Sequence, residues 1–215
     1  MRINAYVKIL VTNLQHHAFV PLGTAIGVFV LTASLFNLSA LTAKEAAKPI
    51  EMFLCFVGVM LFTPVFYPEQ NHDLRDVVCS KKISHLAVCA LRLLWSTVVL
   101  VMLVAAFAAI MKWNESAVTI QHVFGGIATA MFLGSIGFCV AGITDNTVLG
   151  YMAAMLYYLV SYGAKDKLGK FYLFDMCRGN FEEKWWLLVG AVVLIVITFG
   201  VLKVERKDFC IQVKK

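Results

Sequence analysis

Residues 98–110 read VVLVMLVAAFAAI, an unbroken apolar run with no polar residue at alternate positions. A strand of a membrane barrel would alternate apolar and polar side chains over about 10 residues, so this run reads as helix and the barrel is rejected. Working outward, the run lies in a stretch of 19 residues free of Asp, Glu, Lys, Arg and His, from Leu93 to Met111. Five more such stretches follow the same rule: Ala18 to Ala43 (26 residues), Met52 to Pro68 (17), Val123 to Thr144 (22), Asn146 to Ala164 (19) and Trp185 to Leu202 (18). A bilayer core of about 30 Å needs roughly 20 helical residues, so each stretch reaches or nearly reaches across. The expectation is an all-α membrane protein with six transmembrane helices, forming one transmembrane domain over residues 1–215.

Composition agrees. The 215 residues are 60% apolar and 15% charged, with a mean hydropathy of +0.80, which excludes a disordered chain and an ordinary water-soluble globule. No loop approaches the size of a soluble domain. Chemistry must therefore sit in the membrane or in a partner. The formal charge of +6 serves orientation and anionic membrane lipids rather than nucleic acid. With six spans both termini share a side, which carries ten Lys and Arg against eight on the other face, Arg92 being left out as intramembrane. That places both termini in the cytoplasm of a multi-pass protein of the cell membrane. The six cysteines lack CxxC spacing and read as small packing residues.

Along the chain, Ile3, Val7, Leu10, Val11 and Leu14 recur at helical spacing among Arg2, Lys8 and Gln15, which predicts an interfacial helix over 1–15. Span one covers about Ala18 to Leu41 and holds Gly23 and Gly27, a GxxxG that permits close helix contact. A short outer loop with Lys44, Glu45 and Lys48 leads through Pro49 into span two, about Ile50 to Phe66. Residues 67–82 read YPEQNHDLRDVVCSKK. Pro68 stops the preceding helix, Asn71 can cap a new one, and Leu74, Val77 and Val78 then share a face, so a short cytoplasmic helix is expected. Its apolar face rests on the bilayer or fits a groove on a soluble partner. Arg92, near the inner end of span three, is an interfacial anchor or a pair partner. The glycines of span four, Gly125, Gly126, Gly134, Gly137 and Gly142, mark close packing. Asp145 and Asn146 turn tightly into span five. The outer loop 164–184 contains the apolar patch Phe171, Tyr172, Leu173 and Phe174, which dips into the outer leaflet or packs on the spans.

No catalytic constellation emerges. Gly163 to Lys170, GAKDKLGK, has five residues between its glycines and Phe171 after its lysine, so it fails as a phosphate-binding loop. Glu182 and Glu183 read as a solvated face. His16, His17, His72, His85 and His122 do not lie at matching depths for a haem and read as polar anchors. Neither catalytic residue, metal site nor cofactor is expected in this chain.

The order of parts, a surface helix, six spans, a polar inner helix between spans two and three and an outer insertion before the last span, resembles the permease subunits of ABC-2 type transporters. The stretches that carry the resemblance are FTPVFYPEQNHDLRDVVCSKK (Phe62 to Lys82) and FYLFDMCRG (Phe171 to Gly179). The resemblance implies a non-enzymatic exporter or extractor of an amphipathic, lipid-like or peptide substrate. Two permease copies, or this chain with a homologous permease, would face each other, with ATP and Mg bound by separate ABC ATPase subunits beneath. It places Glu69, Asp73, Leu74, Arg75 and Asp76 on the coupling helix that meets the ATPase. It nominates Asn37, Phe56, Met155 and Tyr158 for the substrate pathway. Two other classes stay open: a structural or regulatory membrane subunit without a pathway, for which normal transport after its removal would speak, and a haem-bearing redox subunit, which a visible absorption band would reveal.

Overall fold

A computed structural model describes residues 19–69, 85–163, 167–181 and 183–212, so the expected interfacial helix over 1–15 and most of 67–82 lie outside the described residues. The described chain is helical, with no strand among the described residues. Six longer helical units follow one another among the described residues: α1 (Phe19–Leu35), α2, α3 (His85–Trp113), α4 (Ile120–Thr144), α5 (Thr147–Gly163) and α6 (Lys184–Gln212), with two 3-10 turns, Gly169–Phe171 and Met176–Arg178, before the last. The second unit is composite, α-helical over Ala43–Pro49, π-helical over Ile50–Leu54, α-helical over Cys55–Phe62 and 3-10 over Thr63–Glu69.

Four of these are long and apolar enough to cross a membrane: Ala43–Tyr67, Leu86–Trp113, Ile120–Thr144 and Lys184–Val204. The other two, α1 and α5, have 17 residues each, about 25 Å of helix. The structure thus establishes an all-helical chain with four helices of spanning length. Their outer faces are apolar: Val101 and Met102 on α3, and Val192, Val193 and Val196 on α6, are exposed, as suits surfaces that meet lipid.

Helix α4 is the hub, packed on α2, α5 and α6 and, less extensively, α3. It is apolar or small nearly all round, the pattern of a helix enclosed by others. Its glycines set the distance of approach. A Cβ on Gly58 of α2 would fall 1.9 Å from the Ala130 carbonyl oxygen of α4, and one on Gly150 of α5 would fall 2.5 Å from the Gly137 oxygen. Backbone therefore rests on backbone along both seams, as the glycine density of span four implies. Gly23 and Gly27 behave differently, since a Cβ at either meets nothing within 4 Å. Their GxxxG makes no close helix contact among the described residues.

Two expected boundaries move. Span one ends at Leu35, not Leu41, because the next residues form an irregular segment joined to the loop after α3. Ala40 N–H donates to the Asn114 oxygen (3.0 Å), Ala117 N–H to the Leu41 oxygen (3.0 Å), and Ser116 Oγ to the Leu38 oxygen (2.5 Å). Span two begins at Ala43, so Lys44, Glu45 and Lys48 occupy its first turns and Pro49 lies within it. Thr42 explains the early start: its N–H and its hydroxyl both donate to Glu45 Oε2, at 3.1 and 2.6 Å, closing the helix N-terminus. The tight turn expected at Asp145 and Asn146 is present. Asp145 is left-handed (φ +51°) and Asn146 Oδ1 accepts the Val148 N–H at 2.9 Å.

Candidate functional site

Pro49 has no N–H to return to the preceding turn, and its ring crowds that turn's carbonyl. The helix widens into the π segment Ile50–Leu54 at once, an insertion that re-aims side chains and recurs at functional sites. Glu51, carried on this widened turn, points into the protein and is fully buried. There it meets Lys184, the first residue of α6, which is 1% exposed, with Nζ 2.5 Å from Glu51 Oε1. Two backbone N–H groups complete the carboxylate's shell, Met176 to Oε1 and Cys177 to Oε2, each at 3.0 Å. The ammonium also donates to the Leu173 oxygen at 2.5 Å. A buried charge is tolerable only when paired and hydrogen-bonded, and both members of this pair are.

The three backbone partners all belong to the segment between α5 and α6, so the ion pair pins that insertion to the bundle. Tyr172, Leu173, Phe174, Asp175 and Met176 are buried, which resolves the expectation for the aromatic patch in favour of packing on the spans. Phe174 meets Tyr158 edge-on at 5.4 Å between ring centroids, and Tyr157 Oη donates to the Phe171 oxygen at 2.8 Å. Gly179 ends the turn Met176–Arg178 at φ +92°, a left-handed conformation that favours glycine. Cations cover the outside of the insertion, Lys170 over Trp186 (4.6 Å) and Arg178 over Tyr172 (4.9 Å).

Close by, His122 is also buried. Its Nδ1 accepts the Thr119 N–H at 3.2 Å, which leaves Nε2 as the donor to the Ala43 oxygen at 2.9 Å. The ring joins the starts of α2 and α4, and both nitrogens are committed to that bond pair rather than left as an anchor at a surface. Among the described residues no group of three or more His, Cys, Asp and Glu side chains could hold a metal.

Asp175 is the third ionisable side chain under the insertion. It is 4% exposed, and its Oδ2 has no hydrogen-bond partner in the protein. Burial pushes its carboxyl up to about 6; Lys184 and Arg178 pull the other way, while Glu183 and Glu51 add to the rise. Burial, reinforced by the Glu51 charge, likewise pushes the Cys177 thiol up to about 12, so this cysteine is no nucleophile. Cys55, Cys89 and Cys139 are buried and take part in no disulfide, the placement expected of packing residues. Chemically the arrangement holds a segment in place and presents one unbonded carboxyl oxygen.

Of the four nominated pathway residues, the structure joins two. Phe56 and Tyr158 are half-buried with ring centroids 4.7 Å apart, and Tyr158 Oη donates to the Met52 oxygen at 3.0 Å. Met155 is exposed on the outer side of α5. Asn37 stands beyond the end of α1, exposed, and accepts the Ser39 N–H at 3.4 Å. Glu69 ends the 3-10 segment of α2, whereas Asp73, Leu74, Arg75 and Asp76 lie outside the described residues. Arg92 reaches the other end of the same helix, Nη1 donating to the Val65 oxygen at 3.1 Å. Sequence reasoning overlooked Glu51, Asp175 and Lys184. A signal existed: Glu51 and Lys184 each stand directly before a charge-free stretch, opposite charges at the same end of two spans.

No protein-family model matches the chain, and no curated protein and no solved structure matches it.

Proposed function

We propose that this chain is a permease subunit of an ABC transporter of the ABC-2 type, embedded in the cell membrane by six spans with both termini in the cytoplasm. In this proposal α1 and α5 cross the bilayer with the four longer helices, and the chain itself hydrolyses nothing. ATP and Mg are bound by separate ATPase subunits, and a second copy or a homologous permease completes the pathway for an amphipathic, lipid-like or peptide substrate.

The observation that carries this proposal is the tether at the Arg92 end of the bundle. Val65 of α2 and Arg92 of α3 are hydrogen-bonded there, so the end of α2 and the start of α3 are joined opposite the end where Glu51 and Lys184 meet. In this proposal a push delivered where these two helices join is transmitted to both. Glu69, Asp73, Leu74, Arg75 and Asp76 would be the contact with the ATPase. At the far end the insertion is pinned to α2 and α6, so a displacement of α2 reaches it through Glu51. Phe56 of α2 and Tyr158 of α5 pack together, Met155 is exposed on α5, and with Asn37 these form the nominated pathway set.

The test is purification of the tagged chain from its native membranes, followed by identification of what accompanies it. An ATPase bearing a phosphate-binding loop, retained by the wild type and lost from a chain carrying Arg75→Glu with Asp76→Arg, is the expected result. Stable purification of the chain without any ATPase, or retention unaffected by the charge reversal, would overturn the proposal.

A further inference from the structure

We propose that Asp175 is a proton-binding site that sets how firmly the insertion is docked on the bundle. The inference concerns the insertion alone and stands whether or not the chain moves a substrate.

The argument is one of charge balance in a buried space. Three ionisable side chains lie under the insertion: Glu51 from α2, Lys184 from α6 and Asp175 from the insertion itself. The single ammonium is committed to Glu51 and to the Leu173 oxygen. Asp175 gains no bond from it, and its Oδ2 is both buried and unbonded. The other cations near Asp175 lie at the surface: Lys44 and Lys48, on the first turns of α2 packed against the Met176–Arg178 turn, are exposed, with Lys44 beside Gly179. Glu183 adds a negative field, whereas the Arg178 guanidinium is exposed and lies over the Tyr172 ring. Of the remaining titratable groups around it, Tyr172 and Cys177 are neutral at ordinary pH because burial raises both. Both nitrogens of His122 are bonded to Thr119 and Ala43. With both carboxyls ionised, two buried carboxylates face one buried ammonium, and only exposed cations offset the second. A proton on Asp175 removes the excess.

Undocking exposes Asp175 to water, where it has the affinity of an ordinary carboxyl, 3.8, against about 6 in the docked state. The docked form therefore binds the proton more tightly. By linkage, docking is strongest in acid, weakens as the pH rises from about 4 to about 6, and is insensitive above that range. The opening equilibrium rises by up to about tenfold per pH unit within it. An acidic exterior would hold the insertion shut, and a neutral one would let it open more often.

The Met176 and Cys177 amides report docking directly, because each donates to Glu51 only while the insertion is seated. Hydrogen exchange of the peptide containing them, in the detergent-solubilised full chain and corrected for the intrinsic pH dependence of exchange, is compared at pH 5 and pH 7. The expected result is about tenfold weaker protection at pH 7 in the wild type and no such difference in Asp175→Asn, whose side chain mimics the protonated carboxyl. Equal protection of the wild type at the two pH values would overturn the proposal, as would a pH dependence that persists in Asp175→Asn.

Discussion

Replacing Lys184 by Met keeps the length and apolar stem of the side chain but removes the ammonium from a site where both partners are buried to within 1%. Glu51 then keeps its two backbone donors and loses its counter-charge, and an uncompensated buried charge costs about 3–5 kcal/mol. For a chain of this size that is a drop in melting temperature on the order of 10 °C. Glu51→Gln should cost a similar amount, because it strands the ammonium and can accept only one of the two N–H groups. The double variant Glu51→Gln with Lys184→Met removes both charges of the pair. Its loss is the unmet N–H, about 1–2 kcal/mol, so it should melt above either single variant. Thermal unfolding of the three variants and the wild type in one detergent gives the coupling. Single losses that simply add in the double variant, or a Lys184→Met protein that melts with the wild type, would refute a buried, mutually dependent pair.

Gly58→Ala and Gly23→Ala form a second contrast. The first puts a methyl on the Ala130 carbonyl and should abolish a monodisperse folded peak in size-exclusion chromatography; the second meets open space and should leave the melting temperature unchanged or slightly raised through helix propensity. His122→Ala removes the link between the starts of α2 and α4 and leaves buried backbone groups unmet, a loss of about 1–3 kcal/mol readable as a lower melting temperature. Tyr158→Phe deletes the bond to the Met52 oxygen and keeps the Phe56 contact, so it should cost only about 1 kcal/mol in the same assay.

The helices were legible because lipid-facing and core-facing positions are both apolar, and a charge-free run is a one-dimensional signal. The glycines of α4 were legible for a similar reason, since five in one run leave little but backbone for neighbours to touch. What escaped was anything fixed between distant residues. Glu51 and Lys184 are 133 positions apart, and each alone reads as a charge at a membrane surface. Only the π turn after Pro49 aims Glu51 inward; the Thr42 to Glu45 spacing is a capping box that marks the early helix start in the sequence, but nothing in the run Lys44 to Ile50 announces that the helix continues through Pro49. The Gly23 and Gly27 spacing shows the limit of a motif: it permits contact but says nothing about whether a partner lies in the same chain. Span one was drawn too long because Phe36 to Leu41 is charge-free, while its end depends on hydrogen bonds to Asn114 and Ser116, almost eighty residues away.

The proposed function requires residues 67–82 to face the cytoplasm and the insertion before α6 to face outward. A membrane-impermeant maleimide applied to intact cells decides this, using cysteines placed singly at positions 75 and 180 in a chain whose native cysteines are replaced. Labelling at 180 in intact cells, with labelling at 75 only after permeabilisation, is the result expected; labelling at 75 from outside would contradict it, because no ATPase could then reach the segment through which it is proposed to drive the chain.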